Sequence, residues 1–251
     1  MPTFTMQVFR GDPRGGDFKE YRVESDEGMV VLDVIHRLQA TQANDLACRW
    51  NCKAGKCGSC SAEINGKPRL MCMTRMNTFP EGEPIAVAPI RTFPLIRDLV
   101  TDVSYNYEKA RQVPPLRLKP PEADGTYRMM QEDIDRIQEF HKCIECFLCQ
   151  DVCHVIRDHD LKTSFAGPRF FIKIAGLDMH PLDTVDRTAF VQKAAGIGLC
   201  NITKCCSEVC PEHIHITDNG IIPMKERMAD NFDPIVWLLR KFRGQRKGTP
   251  A

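Results

Sequence analysis

The chain opens on alternation. Phe4, Met6 and Val8 fall on one face of residues 3–11, and Tyr21 and Val23 repeat the two-residue period of a strand over 19–25. The period then lengthens. Val31, Val34, Ile35 and Leu38 recur at three and four residues, which predicts a helix over 29–42. A Gly- and Cys-rich stretch, 52–60, separates that helix from Ser61–Ile64, an Asn65-Gly66 turn and 68–71, which read as a hairpin. Residues 85–90 supply a last strand. Two strands, a helix and further strands are a β-grasp order, with the cysteine loop between helix and hairpin.

Leu95, Leu99 and Val103 return to helical spacing, so 92–111 is predicted to be one helix. Pro114, Pro115, Pro120 and Pro121 then impose an extended connection. Beyond it the pattern is helical at 133–140, 165–177, 186–195 and 223–231. The expected class is α+β, with a β-grasp domain over 1–106 and an all-helical domain over 107–251.

A length of 251 residues suits two domains, and 43% hydrophobic content is enough for their cores. A net charge of +1 gives no reason to expect nucleic acid as a partner. The sequence has neither an apolar signal core nor an apolar run of 18 residues. The chain is therefore expected to stay where it is made and not to span a membrane. Arg240, Lys241, Arg243, Arg246 and Lys247 form a basic tail, either solvated or in contact with an anionic membrane surface or partner.

The thirteen cysteines change the picture most. Cys52, Cys57, Cys60 and Cys72 form C-x4-C-x2-C with a later fourth thiol, the plant-type ferredoxin spacing for a 2Fe–2S cluster. Cys143, Cys146, Cys149 and Cys153 form C-x2-C-x2-C-x3-C, the bacterial spacing for cubane clusters. Cys200, Cys206 and Cys210 complete the set. An odd count without a signal peptide argues against a disulfide scaffold. A zinc ribbon needs two ligand pairs, whereas the first run puts three thiols within nine residues and lacks only one.

In the bacterial pattern the fourth cysteine of a run ligates the other cluster. That rule joins Cys143, Cys146 and Cys149 with Cys210 on a 4Fe–4S cluster, and Cys153 with Cys200 and Cys206 on the other. A full cubane run would have a cysteine where Thr203 stands, so the three remaining thiols suit a 3Fe–4S cluster. Cys205 reads as a bystander beside Cys206, and Cys48 as a packed small residue. His154, His213 and His215 follow the thiols closely but are not needed as ligands. No acid–base pair or activated nucleophile is evident, so chemistry on carbon belongs to another subunit.

At these residues the sequence resembles the iron–sulfur subunit of succinate dehydrogenase and fumarate reductase. The likeness runs through W-N-C-K-A-G-K-C-G-S-C, G-K-P-R-L-M-C, K-C-I-E-C-F-L-C and C-C-S-E-V-C-P. It implies electron transfer from FAD on a flavoprotein through the 2Fe–2S, 4Fe–4S and 3Fe–4S clusters to quinone at a hydrophobic membrane anchor. It also implies a peripheral place on the cytoplasmic face of the inner membrane. Two departures stand out. His154 replaces the proline that usually follows the fourth thiol, and Asp158 and Asn201 stand where many members have a quinone-site tryptophan and histidine. Two rival expectations are a soluble fumarate reductase fed by thiols and a metal-stapled scaffold without redox activity.

Overall fold

The computed structural model describes residues 2–229. Strand β1 (Thr3–Asp12) pairs antiparallel with β2 (Gly15–Glu24), Thr3 opposite Glu24. Helix α1 (Val31–Thr41) follows, burying Val31, Leu32, Val34, Ile35 and Leu38. Strands β3 (Ser61–Ile64) and β4 (Lys67–Leu70) form the expected hairpin. Asn65 (φ 48°) and Gly66 (φ 73°) make its turn. Positive φ at both central residues matches the right-handed twist of paired strands. Strand β5 (Ile85–Ala88) runs parallel to β1, giving the order β2-β1-β5-β3-β4. Met6, Val8, Ile85 and Val87 are fully buried in one core with the apolar stripe of α1.

The expected helix over 92–111 does not form as a whole. Its first half is a second small sheet, β6 (Leu95–Arg97) and β7 (Val100–Thr101), and helix α2 begins only at Ser104 (Ser104–Gln112). The cause is Asp98, at the turn with φ 48°. Its buried carboxylate accepts from Gly11 N (3.0 Å), Ala47 N (2.9 Å) and Arg10 Nε (3.1 Å). Bonds to distant segments override the local helical spacing.

Helix α2 carries the chain from one core to the other, and Tyr105 packs against both. The change from one core to the other thus falls inside a helix. The proline-rich connection after it is pinned: Arg187 Nε and Nη2 donate to the carbonyls of Pro114 and Pro115, each at 3.0 Å. Beyond it lie α3 (Gln131–His141), α4 (Leu148–Asp151), α5 (His154–Arg157), α6 (Pro168–Asp178), α7 (Cys205–Glu208) and α8 (Ile222–Ala229). Among the described residues of this part, the helices are joined by turns and irregular loops, and the one strand-type pairing is an isolated bridge between Leu118 and Asp183. Phe140, Phe165, Phe170, Phe171 and Ile174 form its core. Where a regular helix was expected at 186–195, the chain closes a π-helical turn (Phe190–Ala194).

Residues 230–231 of the last expected helix and the five basic tail residues lie outside the described residues. Among the described residues, no helix is long and apolar enough to cross a membrane.

Candidate metal centres

All thirteen cysteines are free thiols. Eleven of them are the expected ligands, and most of these lie on loops whose backbone turns through the left-handed region.

The first loop leaves α1 and returns into β3, with Lys53 (φ 56°), Gly55 (φ 68°) and Gly58 (φ 68°) bending it. The bends turn backbone amides inward. Ala54 N and Lys56 N lie 3.4 and 3.3 Å from the Cys52 sulfur, Cys52 N lies 3.5 Å from that of Cys57, and Cys72 N lies 3.4 Å from that of Cys60. Burial pushes the Cys60 thiol up to about 12. Cys57 goes the other way. Burial would raise it, but hydrogen bonds from Ser59 and Cys52 outweigh that and bring it to about 7. Amides aimed at sulfur favour the charged form and suit a thiolate donor set.

In the second group, Cys143, Cys146, Cys149 and Cys210 line a single cavity walled by Phe147, Ile172, Ile214 and Ile216. Glu145 (φ 56°) and Phe147 (φ 61°) bend the loop so that α4 starts between the second and third thiols. Burial raises all three of Cys146, Cys149 and Cys210, Cys146 to about 12. Iron takes thiolate, so the metal's positive charge must offset that burial. Four thiols spread round a cavity fit a multi-iron cluster.

In the third group, burial raises Cys153 to about 12 and Cys206 to about 11. Cys200 and Cys205 are both near enough to Cys206 to add to its shift. The Cys205 sulfur lies 3.2 Å from Thr203 Oγ1 and 3.7 Å from the Val152 carbonyl. Ile202 (φ 62°) and Lys204 (φ 64°) shape this loop.

Two of the three histidines near the thiols have other partners. His154 Nε2 meets Asn201 Nδ2 at 2.8 Å, and His215 Nδ1 meets Glu139 at 2.7 Å. Cys48 packs against the first core, as expected of a small apolar residue.

The first two groups are mechanically joined. A Cβ on Gly58 would stand 2.5 Å from Cys146 Cα, so the first loop rests directly on the second. Ser61 Oγ donates to the Cys146 carbonyl at 2.8 Å, and Lys56 pairs with Glu212 at 2.9 Å. None of these pairings is visible in local spacing. Sequence reasoning also missed Arg169, which lines the second cavity. A signal existed. A cation in the first turn of an apolar helix opposes the helix dipole and implies a compensating partner.

Residues 5–108 match the 2Fe-2S iron-sulfur cluster binding domain family, and residues 139–214 the 4Fe-4S dicluster domain family. The fumarate reductase iron-sulfur subunit of Mycobacterium tuberculosis is 33% identical over 222 residues, 85% of this chain and 88% of that protein. The fumarate reductase iron-sulfur subunit of Haemophilus influenzae is 27% identical over 231 residues, again 85% of this chain and 88% of that protein. A protein of the Mycobacterium smegmatis Sdh1 complex in the apo form superposes with a TM-score of 0.91 at 66% identity, over 93% of this chain and 99% of that one. Two cluster-binding domains in this order, and relatives matched over most of their length, lead to one conclusion: the chain belongs to the iron–sulfur subunits of the succinate dehydrogenase and fumarate reductase family, and its work is electron transfer.

Proposed function

We propose that the chain passes electrons from succinate oxidation toward quinone, with a division of labour among its thiols. Cys52, Cys57, Cys60 and Cys72 would hold a 2Fe–2S cluster, Cys143, Cys146, Cys149 and Cys210 a 4Fe–4S cluster, and Cys153, Cys200 and Cys206 a 3Fe–4S cluster. When bound, the clusters carry single electrons in that order from the FAD of a flavoprotein to quinone at a membrane anchor. The residues do the rest: amides steer charge onto sulfur, Phe147 and the isoleucines exclude water, and Gly58 and Ser61 fix the spacing of the first two sites. The domains divide as a β-grasp, plant-type ferredoxin unit over 1–106 and a bacterial-ferredoxin-like unit over 107–251.

The observation that carries this reading is the single cavity shared by Cys143, Cys146, Cys149 and the distant Cys210. Trp50 and Met73 are exposed beside the first loop, and Leu199 and Ile202 beside the third. Single exposed apolar side chains are ordinary on a surface, so the placement of a flavoprotein at the first end and an anchor at the third rests on the family's order of clusters. The chain then sits peripherally on the cytoplasmic face of the inner membrane.

The test is purification of the complex without oxygen. The expected result is a flavoprotein and a hydrophobic anchor bound to the chain, about nine iron atoms per chain and no stoichiometric zinc. Zinc near one per chain, with iron correspondingly short, would overturn the ligand assignment.

A further inference from the structure

Arg169 is the second residue of α6 (Pro168–Asp178), and 8% of it is exposed. Its Nη2 forms an ion pair with Glu145, which lies between Cys143 and Cys146 in sequence. Its Nε is buried and, among the described residues, has no hydrogen-bond partner. The same side chain lines the cavity shared by Cys143, Cys146, Cys149 and Cys210, where Ile172, Ile214 and Ile216 offer no side-chain acceptor and the one carboxylate of the lining, Glu212, is paired with Lys56 at 2.9 Å. A buried N–H without an acceptor is costly and rare in native proteins, and one bordering a set of thiols calls for sulfur. Pairing with Glu145 explains the charge of Arg169 but leaves its second donor unexplained.

We propose that Arg169 donates through Nε to sulfur of the cluster in this cavity and, with Glu145, sets that cluster's reduction potential. The inference rests on the 4Fe–4S assignment above. Its sign follows from charge. A cluster bound by thiolates is anionic, and reduction by one electron makes it more so. A buried guanidinium and its hydrogen bond therefore stabilise the reduced form more than the oxidised one and raise the potential. Glu145 opposes this. It is 45% exposed, so solvent weakens its share, whereas Arg169 at 10% side-chain exposure is screened far less.

Three variants of the intact complex, followed by electron paramagnetic resonance during a reductive titration, test the idea. Arg169→Gln removes the charge. The equilibrium constant for reducing the four-iron cluster should fall about tenfold, equivalent to about 59 mV for one electron. Arg169→Lys keeps the charge and should recover part of that loss. Glu145→Gln should shift the potential in the opposite direction, upward. The other two clusters serve as internal references and should titrate as in the parent.

A merely structural Arg169 would predict no opposed shifts. Parent potentials in both Arg169→Gln and Glu145→Gln, with signals intact, would overturn the proposal. If Arg169→Gln loses its cluster, Glu145→Gln decides alone, and an unchanged potential there also overturns it. Failure of the underlying assignment looks different: in Cys210→Ser the four-iron signal of the parent would persist unaltered.

Discussion

At the scale of single residues, two glycines of the first loop make a contrast that can be measured. Both have a left-handed backbone, at φ 68°. A Cβ on Gly58 would meet the Cys146 backbone at 2.5 Å, whereas one on Gly55 would meet the Met73 side chain at 2.8 Å. Met73 is exposed and can swing away. We expect Gly55→Ala to cost about 1–2 kcal/mol, from the strained backbone alone. Gly58→Ala should cost about 1–3 kcal/mol more, because two backbones must part. Chemical denaturation of both variants checks this, and equal losses would mean that the contact with Cys146 contributes nothing. Thr203 offers a second residue-scale prediction. Thr203→Cys completes the C-x2-C-x2-C spacing and should permit conversion of a 3Fe–4S to a 4Fe–4S cluster. The signal of the air-oxidised three-iron cluster should then disappear from the electron paramagnetic resonance spectrum. Added thiolate charge should also lower the potential and slow electron delivery to quinone. The rival is Cys205, whose sulfur already lies 3.2 Å from Thr203 Oγ1. If Cys205 fills the fourth corner, the parent lacks the three-iron signal and Cys205→Ser creates it.

At the scale of elements, α1 and the β3–β4 hairpin were legible because their signals are local: apolar period in one, Asn65-Gly66 in the other. The stretch 92–111 was not, because its conformation depends on partners far away in sequence. Leu95, Leu99 and Val103 do have helical spacing, yet Asp98 ties the chain to Gly11 and Ala47 and forces a turn. The segment around Asp183 follows the same logic. Arg187 is fully buried, its charge met by the equally buried Asp183, while its other nitrogens hold the proline-rich connection. Hydrogen bonds from Val185 N and Arg117 N, together with the Arg187 guanidinium, outweigh burial and hold the Asp183 carboxyl below its usual range. A depressed folded-state value contributes stability above the usual carboxylate range and loses it as pH falls through the depressed value. Asp183→Asn leaves a buried cation unpaired and should cost about 3 kcal/mol at neutral pH. The variant should also lose less stability than the parent on acidification. A parallel fall of both stabilities with pH would show that Asp183 is not the responsible carboxylate.

At the scale of the whole molecule, the two cores differ in what they need from metal. The sheet core has Cys60, Cys72 and Cys146 among its buried members, but its centre is the purely apolar set Met6, Val8, Val31, Val34, Ile35, Leu38, Ile85 and Val87, all fully buried between the sheet and α1. The helical core has Cys149, Cys153 and Cys206 among its buried members, with Cys143, Cys200 and Cys210 packed against it. There the proposed ligand sets cross: Cys210 returns to the 143–149 loop, while Cys153 reaches forward to Cys200 and Cys206. Short spacings made each thiol group legible, because cluster ligands sit on tight loops. Their convergence is a property of the complete fold, as are Gly58 against Cys146 and Arg169 beside the cavity. Binding energy for a group held only by the folded state is folding energy. Removing iron under reducing conditions should therefore open the two halves unequally. Hydrogen exchange should show protection collapsing over 143–224 while the amides of β1 and α1 remain slow. The intervening segment Cys146–Leu148 belongs to the sheet core and should be the last of the second half to open. Uniform loss of protection, β1 included, would mean that the two cores fold as one cooperative unit and that the metal supports both.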